Sequence, residues 1–278
     1  MLAGCLLLGA LTAARLIPVW SRDGLLHPPH RAPALGEPAI PHEDLELRGE
    51  GVLLRGWRFQ AEGPRRGLVV YLHGFGDDRR EGEGIARRFG PLGFDVIAYD
   101  LRAHGESGGS ACTYGVLERR DLERVLDAER PGTIPVALIG GSLGAAVALE
   151  AAAEDPRISL VVAIAPFCDL RTIAIERAPF FVGRERMEEC LRLVERDGGF
   201  AVDDASPLAA APRIRCPVLL VHGAEDRTTP PEHSRRIHAA LSGERELIVV
   251  PGVGHYDPAG EAAWARIERA VLGMVGGS

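Results

Sequence analysis

The stretch Val136-Ala-Leu-Ile-Gly-Gly-Ser142-Leu-Gly144 constrains this chain more than any other. Val136 to Ile139 form an apolar run that reads as a buried strand, and Ala145 to Ala153 read as a helix that follows it without a break. Between them, Gly140 to Gly144 fit G-x-S-x-G, the pattern of a sharp strand-to-helix turn that pushes a serine hydroxyl out of a sheet. Glycine suits such a turn because it has no Cβ to collide with the elements being joined. Ser142 is therefore the first candidate for a reactive group.

The rest of the chain repeats the same rhythm. Leu45 to Phe59 read as a hairpin about Glu50-Gly51. Strands are expected over 67–73, 94–100, 158–165, 217–222 and 246–250. Helices are expected over 82–89, 117–126, 231–241 and 259–275. This alternation predicts an α/β fold whose central sheet, of about eight strands, is mostly parallel with helices on both faces.

The pattern breaks between Asp169 and Pro212. There Met187, Cys190, Leu191 and Val194 have the spacing of an amphipathic helix, and Ala178-Pro-Phe-Phe-Val182 lies ahead of it. A small helical cap over about 169–212 accounts for both. Substrate preference is then expected to depend on how Phe180-Phe181 and the Met187 helix lie over the site.

Residues 44–278 are expected to form the folded domain, preceded by a proline-rich linker over 21–43 and an apolar segment over 1–20. Leu2 to Ala14 are almost uninterruptedly apolar, with Arg15 and Arg22 beyond, and Trp20 at the position of an interfacial anchor. We read this as a membrane attachment through residues 2–20, with the arginines favouring a cytoplasmic catalytic domain. The tetrad Leu2-Ala-Gly-Cys5 leaves open export or a lipid anchor. No oligomeric state follows from the sequence.

Composition removes several function classes. The 39 acidic against 32 basic residues give a net charge of −7, and the basic residues, all arginine, form no long run, so nucleic acid is not an expected partner. The five cysteines are scattered without a C-x-x-C pair, so neither a zinc site nor a disulfide framework is indicated.

A serine hydroxyl becomes a useful nucleophile when a histidine takes its proton and a carboxylate orients that histidine. Asp226 follows the strand at 218–221 in His222-Gly-Ala-Glu-Asp226, and His255 follows the strand at 247–250 in Pro251-Gly-Val-Gly-His255. Both positions lie beyond the carboxyl ends of strands, where open α/β sheets build their sites. Asp169, after the sixth strand, is an alternative acid. His73, His104 and His222 are expected to hold loops, and His233 and His238 to sit on a charged surface helix.

The order Ser142, Asp226, His255, with His73-Gly-Phe-Gly, Asp100-Leu-Arg-Ala-His-Gly-Glu-Ser107, Gly140-Gly-Ser-Leu-Gly144 and Gly254-His255, resembles an α/β-hydrolase of the lysophospholipase or serine-aminopeptidase-like group from about Asp44 onward. The resemblance implies Ser142, Asp226 and His255 as catalytic residues and the backbone N–H groups of Phe75 and Leu143 as oxyanion donors. It implies hydrolysis of a small-molecule carboxylic ester, lipid-like esters included, through an acyl-enzyme, with no cofactor and no metal. An aminopeptidase or amidase on the same residues stays open, with Glu176, Glu185, Glu188 and Glu189 as a possible amine-binding patch, as does a non-catalytic binding protein on this fold.

Overall fold

The structure, a computed structural model, describes residues 19, 21–29, 36–49, 51–129, 131–255 and 259–275. Its centre is an eight-stranded sheet. The hairpin comes first: β1 (Glu43–Gly49) pairs antiparallel with β2 (Val52–Phe59). Then follow β3 (Gly67–Leu72), β4 (Phe94–Tyr99), β5 (Val136–Gly141), β6 (Ile158–Ile164), β7 (Val218–Gly223) and β8 (Arg245–Val250). Their spatial order is β1-β2-β4-β3-β5-β6-β7-β8, and every pair from β4 to β8 is parallel. The chain therefore reverses direction across the sheet between β3 and β5. At such a switch point the loops after the strands part and leave a crevice.

Helices cover both faces. α1 (Gly82–Phe89) and α8 (Gly260–Gly273) pack on one face through Ile85, Phe89, Ala263, Ile267 and Val271. On the other face lie α2 (Glu118–Glu129), α3 (Leu143–Ala152) and α7 (Glu232–Ala240). Strand β3 shows why both are needed: Leu68, Val70 and Leu72 enter one core while Val69 and Tyr71 enter the other. A strand buried on both sides loses the polar alternation of a surface strand and reads as a continuous apolar run. Each fully buried aliphatic side chain contributes about 1.5–3 kcal/mol.

Between β6 and β7 the chain inserts α4 (Leu170–Glu176), α5 (Arg184–Gly198) and the short α6 (Pro207–Ala210). α5 buries Met187, Cys190, Leu191 and Val194, the residues singled out by their spacing. They join the core under α3.

Two expectations change. Residues 21–26, placed in a linker, are helical, and Leu26 is only 1% exposed. This segment is held to the body. Arg22 pairs with Asp197 at the end of α5, the Tyr114 hydroxyl donates to the Leu25 carbonyl at 2.9 Å, and the Cys112 N–H donates to the Leu26 carbonyl at 2.8 Å. The prolines that suggested a linker all follow Leu26, so they did not prevent this turn of helix. His233, placed on a charged surface helix, is buried: its Nδ1 accepts from the Cys168 N–H at 3.0 Å and its Nε2 meets Glu176 at 2.8 Å. It thus ties α7 to the start of the insertion. The apolar run at 2–14 lies outside the described residues; among those described, no helix is long and apolar enough to cross a membrane.

Candidate active site

The turn after β5 is built from its two outer glycines. A Cβ on Gly140 would stand 2.3 Å from the Gly144 carbonyl oxygen, and one on Gly144 would stand 2.0 Å from the Leu72 carbonyl oxygen. Only glycine lets α3 start this close to β3 and β5. Ser142 between them adopts φ 48°, ψ −107°, outside the regions an L-residue prefers. Its N–H donates to the Ile164 carbonyl at 2.8 Å and its own carbonyl accepts the first bond of α3, from Ala146 at 3.1 Å. The surrounding ladder and helix start together enforce the strained conformation, as is typical of residues held ready for chemistry.

Asp226 and His255 come together across the ends of β7 and β8. The carboxylate is buried. Its Oδ2 accepts from His255 Nδ1 at 2.6 Å, and its Oδ1 accepts from the N–H groups of Thr228 and Thr229, each at 2.8 Å. His222 Nε2 lies 3.3 Å from the same Oδ2 and donates to the Thr229 carbonyl at 2.7 Å, while its Nδ1 accepts from Ser234 at 2.7 Å. Burial alone would raise the Asp226 pKa, but hydrogen bonds from His222, His255 and the Thr229 amide override it and hold the group well below the usual carboxylate range. It stays ionised. The two loops are also pinned to each other, with the Glu225 N–H donating to the Val253 carbonyl at 3.0 Å. Glu225 itself is exposed. Asp169, the alternative acid, instead caps α4 by accepting from the Thr172 N–H at 2.7 Å.

The loop after β3 is positioned by His73. Its Nδ1 donates to the Gly74 carbonyl at 2.7 Å and its Nε2 accepts from the Leu101 N–H at 2.9 Å, which couples this loop to the one after β4. Burial, and then the neighbouring His104, lower the His73 pKa to about 3, so the ring is neutral. Asp100 anchors the next layer, accepting from the Arg79 N–H at 2.7 Å and the Glu106 N–H at 2.9 Å. Phe75 stacks on Tyr114 at 5.8 Å with an interplanar angle of 12°. A Cβ built on Gly74 would be 3.8 Å from Ser142 Cβ, so this loop borders the serine. Leu143 is the first residue of α3, and its N–H therefore belongs to the unpaired positive end of a helix.

Ser142, His255, Phe75 and Thr228 line one cavity of about 490 Å³. Pockets of roughly 300–1,000 Å³ hold small organic ligands. From the inserted segment, Arg177 is the sole described residue in its wall; Phe180 and Phe181 are 99% and 62% exposed, and Met187 is buried in the core. The expectation that these aromatic and methionine side chains lie over the site is thus corrected. α5 turns its apolar face to the body, where Met187, Cys190, Leu191 and Val194 join the buried core. The wall also includes Tyr71, Glu81, Arg88 and Trp264, which the sequence did not single out. Only Tyr71, a hydroxyl in an otherwise aliphatic strand, carried a local signal.

The profile of the alpha/beta hydrolase family matches residues 69–270. The chain belongs to the alpha/beta hydrolase family. Among relatives, an uncharacterised protein of Mycobacterium tuberculosis is 28% identical over 212 residues, spanning 75% of this chain and 70% of its own. A monoacylglycerol lipase of Mycolicibacterium smegmatis is 27% identical over 229 residues, spanning 68% and 81%. In three dimensions the chain resembles an esterase of Pyrococcus furiosus, with a TM-score of 0.68, 23% identity, and coverage of 90% of this chain and 97% of that one. An acetyl xylan esterase from Paenibacillus superposes with a TM-score of 0.61 at 20% identity, covering 82% and 88%. This alpha/beta hydrolase is an enzyme, a hydrolase by family.

Proposed function

We propose that this hydrolase cleaves carboxylic esters through an acyl-enzyme formed on Ser142. The observation that carries the reading is the 2.6 Å bond between His255 Nδ1 and the ionised Asp226, beside a cavity that also receives the strained Ser142. In this scheme His255 Nε2 takes the proton of Ser142 Oγ as the oxygen attacks the ester carbonyl, and Asp226 stabilises the imidazolium that forms. The N–H groups of Leu143 and Phe75 hold the oxyanion, each donor worth about 3–4 kcal/mol in the transition state. His255 then protonates the departing alcohol. A water activated by the same ring releases the acid and restores Ser142. Apart from the ester and the water, every group in the scheme comes from the polypeptide, so the scheme calls on no metal or cofactor.

A fluorophosphonate probe is expected to label the wild type, and Ser142→Ala to lose both labelling and ester cleavage, with kcat falling by about 10⁵ or more. Ester cleavage that survives this substitution would sink the proposal.

An amidase or aminopeptidase on the same residues would need an acidic patch for the substrate amine. The carboxylates suggested for it are engaged or remote: Glu176 meets His233, Glu188 pairs with Arg171 at 2.5 Å, and none of Glu176, Glu185, Glu188 and Glu189 lines the cavity. This favours the ester. The relative named a monoacylglycerol lipase, together with the apolar run at 2–14, supports a lipid-like ester and attachment to a membrane through residues 2–20. Retention of the full chain on carbonate-washed membranes tests the attachment.

A further inference from the structure

Of the inserted segment, the catalytic cavity meets Arg177 alone among the described residues. It runs the other way, from Ser142 into the gap between α1 and α8. Its floor there is the carboxyl ends of β3, β5 and β6, at Tyr71, Gly141 and Ile164. One side is Gly84 and Ile85 of α1, and the other is Ala259 and Trp264. The cavity wall as a whole is mixed, with Asp77, Glu81 and Arg177 among its charged residues. Along this path the Tyr71 hydroxyl donates to Glu81 at 2.5 Å, and Ile85, Ile164, Ala259 and the indole of Trp264 supply the apolar surface.

Arg88 lines the cavity beyond Gly84 and Ile85 on α1. Its guanidinium lies over the Trp264 ring at 4.9 Å, and its Nη1 donates to Glu268 at 2.5 Å, with Glu261 at 3.8 Å. Singly, such half-exposed contacts are weak. Together they hold one arginine rotamer across the gap. Gly84, an exposed position of α1, also lines the cavity, and a Cβ built there meets nothing within 4 Å, so a larger side chain fits at this position without a clash.

We propose that the groove between α1 and α8 is the subsite for the extended apolar arm of the ester, and that Arg88 laid over Trp264 is its end stop, setting the longest arm the enzyme accepts. The inference rests on the ester-hydrolase reading above. It places substrate selection in the helices that follow β3 and β8 rather than in the insertion between β6 and β7.

The test reads a ratio, kcat/KM for a long ester over kcat/KM for a short one, so that any general loss of activity cancels. Two series are used: p-nitrophenyl butyrate, octanoate and laurate to vary the acyl arm, and ethyl, octyl and dodecyl acetate to vary the alcohol arm. Trp264→Ala and Arg88→Ala open the end stop and are expected to raise the long-to-short ratio by about tenfold or more in one series. Gly84→Leu replaces glycine with a better helix former and adds a side chain to the groove wall, and is expected to lower the ratio in the same series by a similar factor. The series that responds identifies the arm that occupies the groove. Ratios that stay within about twofold of wild type in both series, for all three variants, would overturn the inference. The ester-hydrolase reading has a separate failure, namely ester cleavage by Ser142→Ala, so the two can be told apart.

Discussion

At the scale of single residues, the site depends on side chains whose protonation is set by their surroundings. His73 is the clearest case. Its ring accepts from one backbone N–H and donates to one carbonyl, an arrangement only the neutral tautomer can make, and its pKa is lowered from the ordinary 6.5 to about 3. The unfolded chain takes up a proton below about pH 6.5 while the folded chain does not, so this stabilisation is complete above that pH. It is lost as the pH falls from about 6.5 toward 3, by up to roughly 1.4 kcal/mol per pH unit. His73→Asn removes the titration. Its unfolding free energy, measured in urea from neutral to acid pH, is expected to start lower than wild type but to fall less steeply. Parallel curves for the two proteins would show that His73 does not carry this dependence.

At the scale of elements, the strand-turn-helix unit of β5 and α3 is set by steric contact, and substitution separates close approach from mere flexibility. In Gly144→Ala the added methyl would sit 2.0 Å from a backbone oxygen of β3, which neither element can yield without breaking the sheet. We expect a loss of about 3 kcal/mol or more, read as a large drop in the urea midpoint or a failure to fold. Gly273→Ala, at the exposed end of α8 where a Cβ meets nothing within 4 Å, is expected to gain about 0.5–1 kcal/mol instead. Equal effects would refute the steric account of the turn. The elements themselves were legible beforehand because the buried strands are apolar runs, surface helices such as α2 and α5 repeat apolar residues at i, i+3 and i+4, and α3 is an unbroken alanine-rich run. The short helical stretch at 21–26 was not, since its proline-rich neighbours masked it and the contacts that hold it come from residues such as Tyr114 and Asp197.

At the scale of the whole molecule, the body presents little apolar surface among its described residues. Phe180 and Phe181 are its exposed large hydrophobic side chains, and they sit together on the insertion at 5.4 Å. Such a surface gives the body itself little hold on a bilayer, so the proposed attachment falls to the apolar N-terminal run. The full chain is accordingly expected to stay with membranes through high salt and carbonate, and removal of residues 1–18 to release the hydrolase into the wash. Full release of the intact chain by carbonate would refute the attachment.

The sequence by itself determined the order of strands and helices, the turn at Ser142, and the placing of Asp226 and His255 after the last two strands. These are local properties, written in apolar periodicity, in glycines flanking a serine, and in short loops. The tertiary structure alone decided which acid meets the histidine, since Asp169 and Asp226 both follow strands and only the packing of β7 against β8 brings one of them within 2.6 Å of His255. It also decided where the cavity leads. Arg88 and Trp264 are 176 positions apart, 264 − 88, and neither carries a local signal of the other. Their contact exists because α1 and α8 pack on the same face of the sheet, and no pattern within either helix states that.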